Sequence, residues 1–383
     1  MCIATWRKVR IFDTTLRDGD QMAGVELSLE DKIEIARILN ELGVDIIEAG
    51  FPASSDVDFK TIRVLSREVS GSKLAALARA TRKDVDAAAA SEAHVIHVFI
   101  ATSDIHLKYK LKLSREEVLN RMSDVIEYAR SYTPLVLFSA EDGTRSDREF
   151  LVQAYREAVS AGAKYINIPD TVGAITPWEF YDLVAYIRSK LPREVWIDVH
   201  CHNDFGMATA NTLVGIAAGA DGAQVTINGF GERAGNAALE EVVSALHFLM
   251  GAETGIKLEM LTEVSKLVAQ KFGISLQPNK PIVGLNAFAH EAGIHVHGVL
   301  ENPITYEVMP PEAVGNRRRI VLGRHSGRHA VAWVLQEMGI DPPRELIDYI
   351  LYKLKEVAPR IKKVTEDHIW SWVREFRAGG ALA

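Results

Sequence analysis

The stretch Val195-Trp196-Ile197-Asp198-Val199-His200-Cys201-His202-Asn203-Asp204-Phe205-Gly206 decides how the chain is read. Its first half is largely apolar and β-branched and reads as a strand; its second half turns polar. His200 and His202 are two apart, so on a strand they face the same side. Two imidazoles can therefore converge on one point past the strand's end, which suits a divalent metal. Whether they do depends on what the rest of the chain brings there.

Working outward, short apolar runs alternate with amphipathic stretches. Strands are predicted at 9–14, 46–49, 73–77, 95–100, 135–139, 165–168, 195–200 and 222–226. Helices are predicted between them at 29–42, 57–69, 82–91, 114–131, 147–161, 177–191 and 207–218, with an eighth near 236–248. Strict alternation of this kind argues a parallel sheet with helical crossovers. Eight units in roughly 250 residues fit a (β/α)₈ (TIM) barrel of the α/β class. A doubly wound open sheet is the alternative, weakened because no strand runs into a Gly-x-Gly-x-x-Gly turn. Ser28 before Asp31, Ser114 before Glu117 and Thr176-Pro177 mark helix starts.

After Gly251 the alternation stops. Residues 258–272 read as one more helix, and 277–327 are rich in Gly, Pro, Asn and His with few helix or strand signals. So long an irregular stretch usually covers something or works. Helices return at 328–338, 343–358 and 365–376. The expected division is a catalytic barrel over 1–276, a covering linker over 277–327 and a small helical subdomain over 328–383.

Composition excludes several classes. The chain has 383 residues, 48% hydrophobic and 25% charged, the values of a globular protein with a large core. A net charge of −7 gives no footprint for nucleic acid, and Arg317-Arg318-Arg319 is too short a run to supply one. No run is long and apolar enough to span a membrane. Cys2 and Cys201 cannot make a disulfide framework, and no signal peptide is visible at the N-terminus. A cytoplasmic protein is the simple expectation.

In such barrels the chemistry sits at the C-terminal ends of the strands. Those ends here carry Asp13 to Gln21, Glu48, Arg79, His97 with Thr102-Ser103, Ser139 with Glu141 and Asp142, Asp170-Thr171, His200 to Asp204, and Asn228 to Asn236. A merely structural barrel has no need of polar groups at every tip. His200 and His202 supply nitrogen ligands, Asp18 a carboxylate in a tight turn, and Asn236 an amide oxygen. That mixed set leaves room for substrate oxygens and suits Mg²⁺, Mn²⁺ or Zn²⁺.

These residues resemble the α-isopropylmalate/homocitrate synthase family, among metal-dependent aldolase-type barrels. One signature is Leu16-Arg17-Asp18-Gly19-x-Gln21 with Lys32; the other is Ile197-x-x-His200-x-His202-Asn203-Asp204-x-Gly206. Asn228-Gly229-x-Gly231-Glu232-Arg233-x-Gly235-Asn236 and His290-Glu291-x-Gly293-Ile294-His295 agree as well. The resemblance implies a Claisen-type condensation of acetyl-CoA, as co-substrate, with a 2-oxo acid, followed by thioester hydrolysis. It implies that Arg17 stabilises an alkoxide and that Glu141 and His295 form the acid/base machinery, either being the base. Gln21, Glu48, His97, Leu137, Ser139, Thr171 and Tyr306 are then expected around the substrates.

A related lyase branch carries a cysteine in the Gly-rich loop after strand eight; residues 228–236 have none, which favours condensation. Leu137 stands where lysine-type homocitrate synthases tend to place Arg, which favours 2-oxoisovalerate over 2-oxoglutarate. Pyruvate, giving citramalate, is a further alternative, and a catalytically silent barrel serving as a binding module a remote one. The chain ends at Ala383, so the regulatory domain that gives long members leucine feedback is not expected. The resemblance also implies a homodimer in which the C-terminal segment covers the partner's barrel mouth, with His295 and Tyr306 acting in trans.

Overall fold

The computed structural model describes residues 8–357, 360–361 and 363–379; Cys2 and Ala358, the expected end of one helix, lie outside these. Eight strands close into a parallel barrel in sequence order. They are β1 (Arg10–Asp13), β2 (Ile46–Glu48), β3 (Lys73–Arg79), β4 (Val95–Ala101), β5 (Val136–Glu141), β6 (Tyr165–Asp170), β7 (Trp196–Cys201) and β8 (Gly222–Val225). The barrel is the architecture expected from the alternation, and the open sheet is excluded because β1 pairs with both β2 and β8.

Helix starts follow the local chemistry. Ser28 and Asp31, Ser114 and Glu117, and Thr176 and Glu179 each form a reciprocal capping box. Strands β3, β4, β5, β6 and β7 run one or two residues beyond their expected ends. Polarity at the tips suggested loops, but the ladder continues there: Ala101 pairs with Glu141, and Thr102 N–H donates to Glu141 O at 3.1 Å. The eighth helix starts later, at Leu239, because β-bridges of Asn236 with His202 and of Ala238 with Thr226 keep that segment extended. Residues 258–272 divide into a 3₁₀ turn, Leu258–Met260, and a helix, Leu261–Lys271. The sequence reading missed a short helix, Asp104–His106, continued by one π-helical turn, Leu107–Leu111, after β4.

The barrel interior is plugged. Phe12, Ile46, Ala75, Val95, Leu137 and Tyr165 pack into one apolar cluster from six strands. Asp198 accepts from Arg10 at 2.5 Å in a buried pair, and the Arg10 guanidinium lies over the Tyr165 and Trp196 rings. With this filling below, inward side chains further along each strand border an open mouth at the strands' C-terminal ends.

The chain divides into two compact units, Met1–Ser275 and Leu276–Ala383. In the second, helices Arg328–Glu337, Arg344–Val357 and Glu366–Arg377 enclose a core that includes Val331, Leu335, Ile350, Leu354, Trp372 and Val373. Trp372 is buried there, while Trp370, two residues away, stays 36% exposed. Residues 277–327 belong to this same unit and are less irregular than expected. They hold a two-stranded parallel ribbon, Ala289–His290 with Arg319–Ile320, and a helix, Gly293–Glu301. No helix among the described residues is long and apolar enough to cross a membrane.

Candidate metal centre and active-site cavity

The turn after β1 builds half of the site. Asp13 accepts from the Thr15 N–H and the Thr15 hydroxyl, both at 2.9 Å, which bends the chain out of the strand. Asp18 N–H then donates to Thr14 O at 2.8 Å, and the turn carries Arg17 and Asp18 to the mouth. Arg17 donates through Nη1 to Asp18 Oδ2 and through Nε to Glu48 Oε2, both at 2.6 Å. Glu48 Oε1 lies 2.5 Å from His97 Nδ1, and His97 Nε2 lies 2.6 Å from Ser139 Oγ. Asn167 Nδ2 donates to the same Ser139 oxygen at 2.8 Å. A continuous polar chain thus crosses the mouth from β1 to β6, and each member fixes its neighbour's rotamer.

The tip of β7 and the loop after β8 supply the rest. His200 and His202 Nε2 stand 3.1 Å apart, and Asp18 Oδ2 lies 3.7 and 3.9 Å from them. These three buried residues offer ligand atoms all within 4.8 Å of one another and are the one such cluster among the described residues. Asn203 N–H donates to Gly235 O and Ala237 N–H to Cys201 O, tying the loop to the strand tip. A Cβ at Gly231 would stand 2.1 Å from Asn236 Nδ2 and displace that amide, so glycine here leaves Asn236 in place beside Asp18.

Electrostatics prepare the cluster for a cation. Burial and the neighbouring His202 push His200 down to about 3, and burial lowers His202 too, so both rings are neutral and hold a lone pair for coordination. Burial opposes ionisation of Asp18, but the Arg17 charge, joined by the two imidazoles in the strongly acid range where they too are charged, outweighs it and holds the carboxyl well below the usual range. Asn236 reaches Asp18 Oδ1 through its amide nitrogen at 2.9 Å, not through oxygen; its Oδ1 is buried without a partner. Turning that amide over would set oxygen against oxygen, which is favourable with a cation between them. The residues therefore fit a divalent ion.

Beside the cluster lies a cavity of about 320 Å³. Of the residues expected around it, Arg17, Asp18, Gln21, His97, Ser139, Glu141, Thr171, His200 and His202 line it. Glu48 is fully buried beneath Arg17 and His97. Leu137 does not line the cavity; it sits in the apolar plug, two residues before Ser139 on the same face of β5. His295 and Tyr306 lie in the second unit, their ring centroids 4.2 Å apart.

Sequence reasoning missed several lining residues: Phe51, Leu77, Phe99, Lys110, Asn167 and Gln224. Period-two alternation from His97 and Ser139 points to Phe99 and the same face of neighbouring strands, so most of these were within reach. Gln224 stands in the middle of β8 with both amide atoms buried and unpartnered, and a lone amide in an apolar strand was its signal. Lys110 lies on the π-helical turn, which has no sequence signature.

A carboxylate, two neutral imidazoles and a fixed guanidinium at the mouth of a (β/α)₈ barrel define a class: enzymes that polarise a substrate oxygen with a metal. Comparison with known proteins narrows it. Residues 8–268 match the family described as HMGL-like, and residues 282–362 match the homocitrate synthase post-HMGL domain-like family. The 2-isopropylmalate synthase of Sulfolobus acidocaldarius is 52% identical over 360 residues, 94% of this chain and 93% of its own. A Methanopyrus kandleri chain named for (R)-citramalate synthesis is 49% identical over 94% of this chain and 70% of its own. Among solved structures, the HMG-CoA lyase of Bacillus subtilis shares the fold, with a TM-score of 0.63 at 24% identity, covering 72% of this chain and 97% of its own. The chain belongs to the isopropylmalate/homocitrate synthase family, metal-dependent enzymes that condense acetyl-CoA.

Proposed function

We propose that the enzyme condenses acetyl-CoA with 2-oxoisovalerate to give 2-isopropylmalate and free CoA, a step of leucine biosynthesis. The observation that carries this reading is the cavity wall. Phe51, Leu77 and Phe99 border the space that the metal cluster and Arg17 also border. An apolar wall suits a branched alkyl group, whereas the second carboxylate of 2-oxoglutarate would lie there unpaired, at a cost of roughly a few kcal/mol. Arg233 also lines the cavity but is engaged with Asp204, and Lys110 stands beside Glu141, the group assigned to acetyl-CoA rather than to the oxo acid.

Asp18, His200, His202 and the Asn236 amide oxygen would hold Mg²⁺, Mn²⁺ or Zn²⁺, which when bound supplies Lewis-acid polarisation of the keto group. Arg17, held by Asp18 and Glu48, donates to the alkoxide that develops on the keto oxygen. Gln21, Ser139 and Thr171 position the oxo acid, Ser139 being set by His97 and Asn167. Leu137 acts from below, filling the space under Ser139. Glu141 and His295 share proton removal from the acetyl methyl and proton return, with Tyr306 beside His295. The enzyme works in the cytoplasm as a homodimer, with the second unit of one chain over the partner's mouth. In support, Ile294, Ile304 and Val308 are 79%, 82% and 80% exposed around the His295–Tyr306 pair, a surface that gains by being covered.

The similarity to a chain named for citramalate synthesis favours pyruvate as the second reading. A thiol-release assay with acetyl-CoA, Mg²⁺ or Mn²⁺ and a panel of 2-oxo acids tests both. The expected result is a higher kcat/KM for 2-oxoisovalerate than for pyruvate or 2-oxoglutarate. Preference for either of those replaces the reading, and absence of CoA release with every acid leaves a binding barrel.

A further inference from the structure

We infer that Lys110 is a catalytic residue of the condensation, donating to the thioester oxygen of acetyl-CoA as the enolate forms. This rests on the reading of Glu141 as part of the acid/base machinery. Lys110 stands on the π-helical turn Leu107–Leu111, and π turns of this kind frequently accompany functional sites. Its Nζ lies 2.5 Å from Glu141 Oε1, and its side chain lines the cavity while remaining 50% exposed. It therefore stands where a substrate entering from solvent meets the site.

The chemistry calls for such a group. When the base takes a methyl proton, the C–H bond breaks and its electron pair becomes a carbon–carbon double bond. The thioester C=O pair moves onto oxygen, which becomes negative. The enolate carbon then attacks the keto carbon and forms the C–C bond, returning the thioester C=O, while the keto oxygen takes the charge beside Arg17. Water later adds to the acyl carbon and the CoA thiolate leaves. Two oxygens thus become negative in turn, and Arg17 serves the second.

For the first oxygen, three cations line the cavity among the described residues: Arg17, Arg233 and Lys110. Arg17 is locked between Asp18 and Glu48. Arg233 donates through Nε and Nη2 to both oxygens of Asp204, and again through Nη2 to Thr171 O. Lys110 has one ion-pair partner, the carboxylate expected to handle the methyl proton, and a flexible stem with donors to spare. A thioester carries its carbonyl oxygen and its methyl group on either side of one carbon. An ammonium and a carboxylate held side by side match those two ends.

The test compares the full-length wild-type enzyme with Lys110→Met and Lys110→Arg, loaded with Mg²⁺ or Mn²⁺. Removing one donor to a developing oxyanion is expected to lower kcat about 10²–10³-fold. In Lys110→Met the KM for the 2-oxo acid should stay unchanged, and the isotope effect with methyl-deuterated acetyl-CoA should rise as proton removal becomes limiting. Lys110→Arg should recover part of the rate. Thermal melting and calorimetric binding of the 2-oxo acid check that the fold and the oxo-acid site survive. A Lys110→Met rate within a few-fold of wild type overturns the inference. So does a slow variant whose isotope effect is unchanged, because the step slowed is then not enolate formation. A wild-type enzyme that releases no CoA with any 2-oxo acid overturns the parent reading and this inference with it; a working wild type with an unaffected variant overturns this inference alone.

Discussion

His200 and His202 turn their Nε2 atoms to within 3.1 Å of each other beside Asp18, so that two buried neutral imidazoles share one point. Their Nδ1 atoms are buried without partners, so the protein alone does not satisfy this pair. A cation at the shared point would take both Nε2 lone pairs, and the ring protons would then sit on Nδ1.

His202→Ala is therefore expected to lower divalent-ion affinity by at least tenfold and to abolish CoA release. Stability should fall by no more than about 1–2 kcal/mol, since the residue stands at the barrel rim and not in the plug. Calorimetric titration with Mn²⁺, alongside thermal melting of the metal-free chain, separates the two effects. Wild-type Mn²⁺ affinity in the variant would remove His202 from the ligand set.

Much of this was legible beforehand because the relevant signals are local. The two signatures place Asp18, His200 and His202 at strand tips, and barrel geometry brings β1 and β7 tips together whatever the helices do. The capping serines fixed helix starts for the same reason. What escaped depends on through-space relations. Leu137 was expected against the substrate, but its register in β5 sets it one layer lower, in the plug with Phe12 and Tyr165. Lys110 escaped because a π turn leaves no periodicity to read. The helix Gly293–Glu301 escaped because glycines and histidines mask a short apolar face formed by Val296 and Val299.

Asp13 gives a pH signature of stability distinct from catalysis. Burial, with smaller contributions from Glu240 and Glu48, raises its carboxyl to about 7 against the opposing Thr15 hydrogen bonds. Below the unfolded value of 3.8 both states are protonated, and the contribution is fully present. As pH rises toward about 7 the unfolded chain ionises while the folded chain keeps its proton, so stability falls by up to a few kcal/mol. Asp13→Asn should flatten this part of the profile. Urea unfolding of both chains at pH 5 and pH 8 measures it, and an equal pH dependence in the two would reject the assignment.

Leu137→Arg tests specificity from the plug. A guanidinium among Phe12, Ile46 and Tyr165 lacks a partner, so the free variant should lose about 3–5 kcal/mol of stability. The long side chain can reach past Ser139, where a distal carboxylate would pair with it. Thermal melting should show 2-oxoglutarate stabilising the variant more than 2-oxoisovalerate does, reversing the wild-type order. An unchanged order, or a wild type that already prefers 2-oxoglutarate, defeats this account of Leu137.

The final expectation concerns where His295 acts. In the single chain His295 is exposed on the helix Gly293–Glu301, its ring against Tyr306 and its neighbour Ile294 in solvent. If His295 is an acid/base group for the enolate, this surface is expected to be covered where it works. Trp370, 36% exposed beside the buried Trp372, adds to the apolar surface that the second unit leaves unburied. If one chain's second unit serves the partner's barrel, then a chain lacking His202 and a chain lacking His295 are each inactive but complementary. Mixing His202→Ala with His295→Ala under conditions of subunit exchange should restore CoA release, because one site of each heterodimer receives wild-type parts from both chains. Native mass spectrometry of a mass-tagged pair verifies the exchange. Complete exchange with no recovered activity would mean that His295 serves its own barrel or takes no part in the chemistry, and the trans arrangement would be abandoned.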